Sequence, residues 1–137
     1  MGSSIIPTMR YRDAPVMIDW LCEAFGFERH LVVEDGNGGI AHAQLVSGDA
    51  MIMLGSDLSS DHGKLMVMPA DIGNRQTQCP YMVVADADAH HARALAAGAE
   101  IIMAPEDQDY GGRLYSCRDP EGHLWNFGTY DPWRENS

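Results

Sequence analysis

The pair His42 and Gln44 is the first feature of the sequence that could do chemistry. The two residues alternate along the run Gly39–Val46, whose composition is typical of a β-strand. Alternation places both side chains on one face, where they could bind a ligand, and His42 could act as an acid or base near neutral pH. The alternative is a histidine that only completes hydrogen bonds at the surface of a sheet.

The segment Tyr110–Arg113 is a second candidate site, because two glycines separate its tyrosine from its arginine. Glycines allow the chain to bend sharply, and the guanidinium of Arg113 could then bind a ligand carboxylate or phosphate through two hydrogen bonds. An ion pair of Arg113 with Asp119 or Glu121 is an equally good interpretation.

The remaining histidines are weaker candidates for a ligand-binding or catalytic role. His90 and His91 are adjacent on a predicted helix, where neighbouring side chains do not converge on one ion, so we expect both to be solvated. We expect His123 to bond across the turn that precedes it, and His30 and His62 to have no local partner. The sequence has no nucleophile elbow, phosphate loop or dinucleotide fingerprint.

Composition narrows the class of protein. The chain has 137 residues, with 9 Lys or Arg against 20 Asp or Glu, and its net charge of −11 argues against nucleic acid or an anionic membrane as a partner. Cys22, Cys79 and Cys117 have no Cys-x-x-Cys spacing, which predicts free thiols in a reducing compartment. Without a secretory signal in this sequence, we expect a cytoplasmic protein.

Two helices are predicted by their start and stop signals. Asp13 and Pro15 open the first helix and Gly26 ends it, while Asp86 opens the second and Gly98 ends it. The apolar stripe of the second helix is predicted to contain Ala89, Ala92, Leu95 and Ala96.

Landmarks of the first half recur in the second half. Asp13 and Asp86 are 73 residues apart, Gly26 and Gly98 are 72 apart, and Gly48 and Gly122 are 74 apart. The β-rich runs follow the same order in both halves: Ile5–Tyr11, Phe27–Val33, Gly39–Val46 and Ala50–Gly55, then Tyr81–Ala85, Glu100–Met103, Arg113–Cys117 and His123–Tyr130. The sequence therefore predicts two βαβββ modules that share one core.

The modules are predicted to form one domain spanning residues 1–137. Module 1 spans about 5–56, a connector 57–77, module 2 about 78–131 and a tail 132–137. The apolar patch Leu65–Met68 in the connector predicts an extra strand or a flap on the sheet.

Three segments resemble a known family: the helix Asp13–Phe27, the strand and turn His42–Asp49, and the pair Tyr110–Arg113 and Asp119–Trp125. Together with the duplicated module, they resemble the vicinal oxygen chelate superfamily of glyoxalase, bleomycin-resistance proteins and dioxygenases, and within it the PhnB-like branch. The likeness covers residues 5–131. It implies an α+β fold in which two βαβββ modules form a curved mixed sheet around a cavity, and a homodimer.

The resemblance also implies four strand positions for metal ligands, which fall on Pro7, Met53, Pro80 and Asn126. None of these residues is a histidine or a carboxylate, the donors that a divalent ion needs to polarise substrate oxygens. No shift by one residue produces a ligand set. We therefore expect no metal and no other cofactor.

Strand alternation predicts the residues that face the cavity, and many of them are methionines, which suit a bulky apolar ligand. The predicted set is Met9, Tyr11, Met51, Met53, Met82, Val84, Leu124 and Asn126. The predicted ligand-binding residues are His42, Gln44, Met51, Met53, Met82, Tyr110, Arg113 and Asn126. We expect Trp20 and Trp125 to pack in the core or at the dimer contact, and Trp133 to anchor the tail on a neighbouring surface.

The leading hypothesis is a homodimeric protein that binds a small, largely apolar or aromatic organic ligand in a metal-free cavity, with antibiotic sequestration as a role. One alternative is a metal-dependent lyase, isomerase or extradiol-type dioxygenase of the same superfamily. Another is an enzyme without metal that uses Arg113, Tyr110 and His42. Composition does not identify the ligand.

Overall fold

Each half of the chain folds as one strand, one helix and three further strands. The computed structural model describes residues 2–56 and 59–134. The first module contains β1 (Thr8–Arg10), α1 (Ala14–Phe25), β2 (Glu28–Glu34), β3 (Ile40–Ser47) and β4 (Ala50–Gly55). The second contains β5 (Tyr81–Val83), α2 (Ala87–Ala96), β6 (Glu100–Asp107), β7 (Arg113–Arg118) and β8 (Leu124–Gly128). The predicted repeat of βαβββ order is confirmed.

The helices end where the sequence signals predict. Gly26 adopts the left-handed conformation, φ 80°, and its N–H closes α1 on the Cys22 carbonyl. Asp86 caps α2 by accepting a hydrogen bond from Ala89 N at 3.0 Å. Asp13 makes no such side-chain bond at α1, although it occupies the N-cap position.

The strands form two four-stranded sheets with the same topology. The strand orders are β1-β4-β3-β2 and β5-β8-β7-β6, and only the edge pairs β1–β4 and β5–β8 are parallel. The register places Thr8 beside Met53 and Tyr81 beside Asn126. These two pairs are therefore equivalent positions of the two modules, and the fold is α+β with two mixed sheets.

One face of each sheet packs into a shared core with the helices. Met9 and Tyr11 are buried there, and Met82 and Val84 pack against the core residues. The prediction that Met9, Tyr11 and Val84 face the cavity was wrong. Met82 packs against the core on one side but also lines a groove between the modules. Met9 is paired with the core residue Leu54, and paired residues share a face of the sheet.

The buried stripe of α2 also differs from the prediction. Ala87 and Ala94 are buried and His90 is half-buried, whereas Leu95 is more than half exposed. His90 bonds to the Tyr115 hydroxyl and its ring lies 4.2 Å from that of Phe127. The expectation of a solvated His90 was wrong, because α2 turns this face towards α1 and β8.

Asp119, in the turn between β7 and β8, joins the two modules. It is buried and accepts hydrogen bonds from Tyr11 Oη at 2.6 Å and from Trp125 Nε1 at 3.1 Å. Burial, and after it the charge of Asp119, raises the pKa of Tyr11 well above its usual value. His123 bonds across its turn as predicted, but through its backbone N–H, which donates to Asp119 Oδ1 at 3.1 Å. Its side chain donates to the Arg10 carbonyl of the other module at 2.8 Å.

The connector forms two short 3-10 turns, Gly63–Leu65 and Pro69–Ile72. Its apolar patch forms neither a strand nor a buried flap as a whole, since Met68 is buried but Leu65 and Val67 are exposed. Residues 57 and 58 of the predicted connector lie outside the described part. In the described ranges, no helix is long and apolar enough to cross a membrane.

Candidate functional site

Each sheet has a second face that points away from the shared core. We call the one on the first sheet the first open face. It carries Met51, Met53 and Gln44, whose neighbours Ile52, Leu54 and Leu45 point into the core. Gln44 lies opposite Met53 in the register. The structure thus brings together three of the predicted ligand-binding residues.

A chain of three hydrogen-bonded side chains crosses the first open face. His30 Nδ1 lies 2.9 Å from Gln44 Oε1, and Gln44 Nε2 lies 3.0 Å from His42 Nε2. Because the amide oxygen accepts and the amide nitrogen donates, neutral His30 carries its proton on Nδ1 and neutral His42 on Nδ1. The prediction that His42 and Gln44 share a face is confirmed. His30, for which we expected no local partner, bonds to a residue 14 positions away on the adjacent strand.

Arg10 is the functional candidate that the sequence did not reveal. Its guanidinium lies over Gly55, where an added Cβ would be 2.8 Å from Arg10 Nη1. Arg10 Nε is buried without a hydrogen-bond partner. In sequence, an arginine in a short edge strand is typical of a solvated position, and only the register shows that it lies over the sheet.

The outward face of the second sheet, which we call the second open face, carries Asn126. Asn126 is the fifth predicted ligand-binding residue on an open face, after Gln44, Met51, Met53 and His42. Asn126 accepts from Ser116 Oγ at 2.6 Å and donates to Cys79 Sγ at 3.0 Å. Tyr81 lies beside it and donates to the Tyr130 carbonyl at 2.6 Å.

A groove of about 520 Å³ lies at the seam between the modules, and we call it the seam groove. Its walls are mostly apolar, and Asp49 is its one charged side chain among the described residues. It is lined by Ser4, Ile5, Ile6, Pro7, Phe27, Asp49, Ala50, Met51, Ile52, Pro80, Tyr81, Met82 and Trp125. Met51 and Met82, two predicted ligand contacts, thus meet here, and Met51 also belongs to the first open face.

The segment Tyr110–Arg113 lies apart from these surfaces. Arg113 is paired with Asp88 of α2 at 2.9 Å and with Asp107 of β6 at 3.1 Å, so the predicted pairing with Asp119 or Glu121 was wrong. Tyr110 is about half exposed, and its ring packs edge-on against Tyr130. A ligand role for either residue stays a prediction.

Cys22 and Cys117 are not activated thiols, because burial raises the pKa of each. Burial raises the pKa of Cys117 to about 12, so this thiol is protonated at neutral pH. Burial also raises the pKa of Cys22, against the opposing effect of Arg29. All three cysteines are free, as predicted.

The residues at the implied metal positions do not fit a divalent ion. Pro7 and Pro80 bond through their carbonyls to Met53 N and Asn126 N, so the side chains in register are those of Thr8 and Tyr81, one residue later than predicted. A hydroxyl, a thioether, a phenol and an amide are poor donors for Mg²⁺, Mn²⁺, Zn²⁺ or Fe²⁺. In the described part of the chain, no three His, Cys, Asp or Glu side chains cluster in a metal-binding arrangement.

Two mycobacterial proteins described as uncharacterized are similar to this chain in sequence. The chain is 33% identical over 132 residues to Mb0911c, an uncharacterized protein of Mycobacterium bovis. The aligned residues make up 96% of this chain and 85% of Mb0911c. The same identity and length relate this chain to the uncharacterized protein Rv0887c of Mycobacterium tuberculosis, of which 76% is covered.

Solved structures share the fold. TioX from Micromonospora sp. ML1 is 33% identical, with a TM-score of 0.70 over 93% of this chain and 98% of TioX. A fosfomycin resistance protein, FosX, from Listeria monocytogenes, solved with Mn(II), has a TM-score of 0.67 at 15% identity, over 96% and 94% of the two chains. The second likeness concerns the fold alone. The profile of the Glyoxalase/Bleomycin resistance protein/Dioxygenase superfamily matches residues 6–127, and the chain belongs to that superfamily.

Proposed function

We propose that this protein binds a small, largely apolar or aromatic organic molecule in the seam groove and along the first open face. The seam groove carries the proposal. Its volume of about 520 Å³ is in the range of drug-sized ligand sites, and its walls combine aromatic, aliphatic and thioether side chains. Thioethers adapt to ligands of different shape, which suits Met51 and Met82 to this role.

The binding is proposed to need no metal ion. Support comes from the donors at the superfamily's metal positions, where Thr8, Met53, Tyr81 and Asn126 supply neither imidazole nor carboxylate. A ligand in contact with Met53 would instead meet an apolar surface.

We further propose that a second copy of the chain covers the open faces and completes the cavity. Solvent-facing sides of antiparallel sheets are usually polar, yet Leu31, Val33, Tyr81 and Val83 are each 40–44% exposed here. This arrangement would enclose a ligand between the first open face of one chain and a face of the other.

The superfamily includes bleomycin-resistance proteins, and antibiotic sequestration is the role that we propose for this binding site. We place the chain in the PhnB-like branch on its helix and turn motifs. A cytoplasmic location belongs to the same proposal, supported by the three free cysteines.

Binding of the neutral fluorophore N-phenyl-1-naphthylamine tests the site directly. Met51→Gln should weaken binding several-fold, because a polar amide replaces a thioether in the wall of the groove. Met66→Gln is the matched control, since Met66 is half-buried in the connector and does not line the groove. Equal affinities of the two variants, or no binding by the unaltered protein, would contradict the proposal.

A further inference from the structure

Arg10 is a half-buried cation whose side chain makes no hydrogen bond or ion pair within the described residues. The protein has 20 acidic residues against 9 basic ones, so acidic partners are abundant. Arg12, Arg29 and Arg113 each pair with an aspartate. Burying a donor without an acceptor costs stability, and Arg10 Nε bears this cost.

The sheet provides space for this guanidinium. Gly55 lies opposite Arg10 in the parallel register of β1 and β4, and its missing side chain leaves the position that Arg10 Nη1 occupies. Any larger residue would also approach the Ala41 carbonyl to 3.0 Å. The guanidinium is thus held on the first open face rather than extended into solvent.

His42 provides a second donor on the same face. His42 bonds to Gln44, which lies opposite Met53, so the ring of His42 lies on the face that carries Met53. Since Gln44 donates to His42 Nε2, the remaining proton of a neutral His42 is on Nδ1. Arg10 on β1 and His42 on β3 thus flank β4 from its two sides. A guanidinium and an imidazole N–H that face the same surface can both donate to one anionic oxygen group.

The position of Arg10 relative to the seam groove indicates the shape of the ligand. Along β4, Met51 lines the groove, Met53 follows on the same face, and Gly55 lies under Arg10. At about 3.3 Å per residue, Met51 and Gly55 are roughly 13 Å apart. One drug-sized molecule can span this distance.

We propose that the ligand of this protein is an apolar or aromatic molecule that carries an anionic oxygen group, a carboxylate or a phosphate, which Arg10 binds with His42. This inference rests on the proposed function, because the apolar part of the ligand occupies the seam groove. The recognition site is cationic although the protein as a whole is strongly acidic.

Two fluorophores with one ring framework separate the two proposals. N-phenyl-1-naphthylamine is neutral, and 8-anilinonaphthalene-1-sulfonate adds one anionic group to the same framework. We expect Arg10→Met to weaken binding of the sulfonate about tenfold and to leave the neutral probe within twofold of the unaltered protein. Arg75→Met is the matched control, because Arg75 is exposed in the connector and its removal changes the net charge equally.

Gly55→Ala provides a second variant that keeps every charge. The added methyl group should displace the guanidinium and lower the affinity for the sulfonate, again without an effect on the neutral probe. Circular dichroism and thermal unfolding verify that both variants are folded. Displacement of the sulfonate by 1-naphthoate and by 1-naphthyl phosphate then distinguishes a carboxylate ligand from a phosphate ligand.

The outcomes have distinct meanings. If neither probe binds the unaltered protein, the proposed function fails. If the neutral probe binds but Arg10→Met and Arg75→Met affect the sulfonate equally, the apolar site stands and the anionic subsite is overturned. If 1-naphthalenemethanol displaces the sulfonate as well as 1-naphthoate does, the anionic subsite is likewise overturned.

Discussion

Asp119 is the buried carboxylate through which the two modules are connected. Besides Tyr11 and Trp125, it accepts the backbone N–H groups of Glu121 and His123 at 3.0 and 3.1 Å. A buried carboxylate loses its hydrogen bonds to water, and here four protein donors replace them, which stabilises its charge. The same residue therefore holds the β7–β8 turn against Tyr11, which directly follows β1.

Asp119→Asn should lower the free energy of unfolding by about 2 kcal/mol or more. If the amide oxygen accepts from Tyr11 and Trp125, the amide NH₂ group faces the backbone N–H groups of the turn, and those donors lose their acceptor. Urea denaturation measures the change. Asp109→Asn removes the same charge from an exposed turn and should be close to neutral. Equal effects of the two substitutions would contradict the structural role of Asp119.

His90 makes stability depend on pH. Burial lowers the pKa of His90, Arg93 adds to this effect, and a hydrogen bond to the Phe25 backbone opposes it. Its other neighbours, Tyr115 and Phe127, carry no charge at neutral pH. As pH falls below about 6.5, the unfolded chain binds a proton before the folded one does, so this contribution to stability is lost.

The comparison of the native protein with His90→Gln isolates this effect, since other titrating groups cancel in the difference. The free energy of unfolding of the native protein should fall relative to the variant between pH 7.5 and pH 5.5. Denaturant titrations at several pH values measure it. A difference that stays constant over this range would contradict a lowered pKa.

Individual residues of the site were only partly predictable from the sequence. The shared face of His42 and Gln44 follows from alternation within a long strand. The bond from His30 to Gln44 depends on a register shift between Arg29 and Leu31, which no local pattern reveals. Arg10 was missed because its position over Gly55 requires the pairing of β1 with β4.

At the scale of elements, helix α1 is capped by a residue from the other module. Glu121 accepts hydrogen bonds from the backbone N–H groups of Arg12 and of Asp13, the latter at 2.9 Å. Its carboxylate also lies at the positive end of the helix dipole. Sequence signals indicated Asp13 as the cap, because only local residues enter such a pattern.

Glu121→Ala should therefore destabilise the protein by about 1 kcal/mol, and more than Asp13→Ala does. Thermal unfolding of the two variants ranks them. If Asp13→Ala proved the more harmful substitution, the cross-module cap would not be the interaction that stabilises α1.

The ends of the helices and the order of the strands along the chain were predictable. Which side chains of the short strands point into the core was not. β1 and β5 have three residues each, which is too few for alternation to establish a phase. From the sequence alone, the side chains of Met9 and Met82 could lie on either face of the sheet. Their pairing with the core residues Leu54 and Phe127 determines that they lie on the core side. Similarly, the rotation of α2 that buries His90 depends on its contact with α1.

At the scale of the whole molecule, two duplicated sheets share one core and leave two open faces. This architecture follows from the steady repeat, since each module is too small to cover its own sheet. Whether a second chain covers the open faces was not predictable from internal patterns, because contact with a partner leaves no periodic signal in the sequence.

The proposed homodimer predicts different effects for adjacent substitutions in β2. Val33 is paired with His42 and faces outward, while Val32 is paired with Ala43 on the other side. Val33→Glu should shift the protein towards a monomer in light scattering, because it places a charge in the apolar contact. Val32→Glu, at a similarly exposed position, should leave the mass unchanged. A native protein that is already monomeric would contradict the dimer.

The central claim is that the protein binds an apolar ligand without a metal ion. Titration of the chelator-treated protein with N-phenyl-1-naphthylamine, before and after addition of Mn²⁺, Zn²⁺ or Ni²⁺, tests it most directly. We predict the same dissociation constant in every condition. Binding that appears only after a metal is added would contradict the claim.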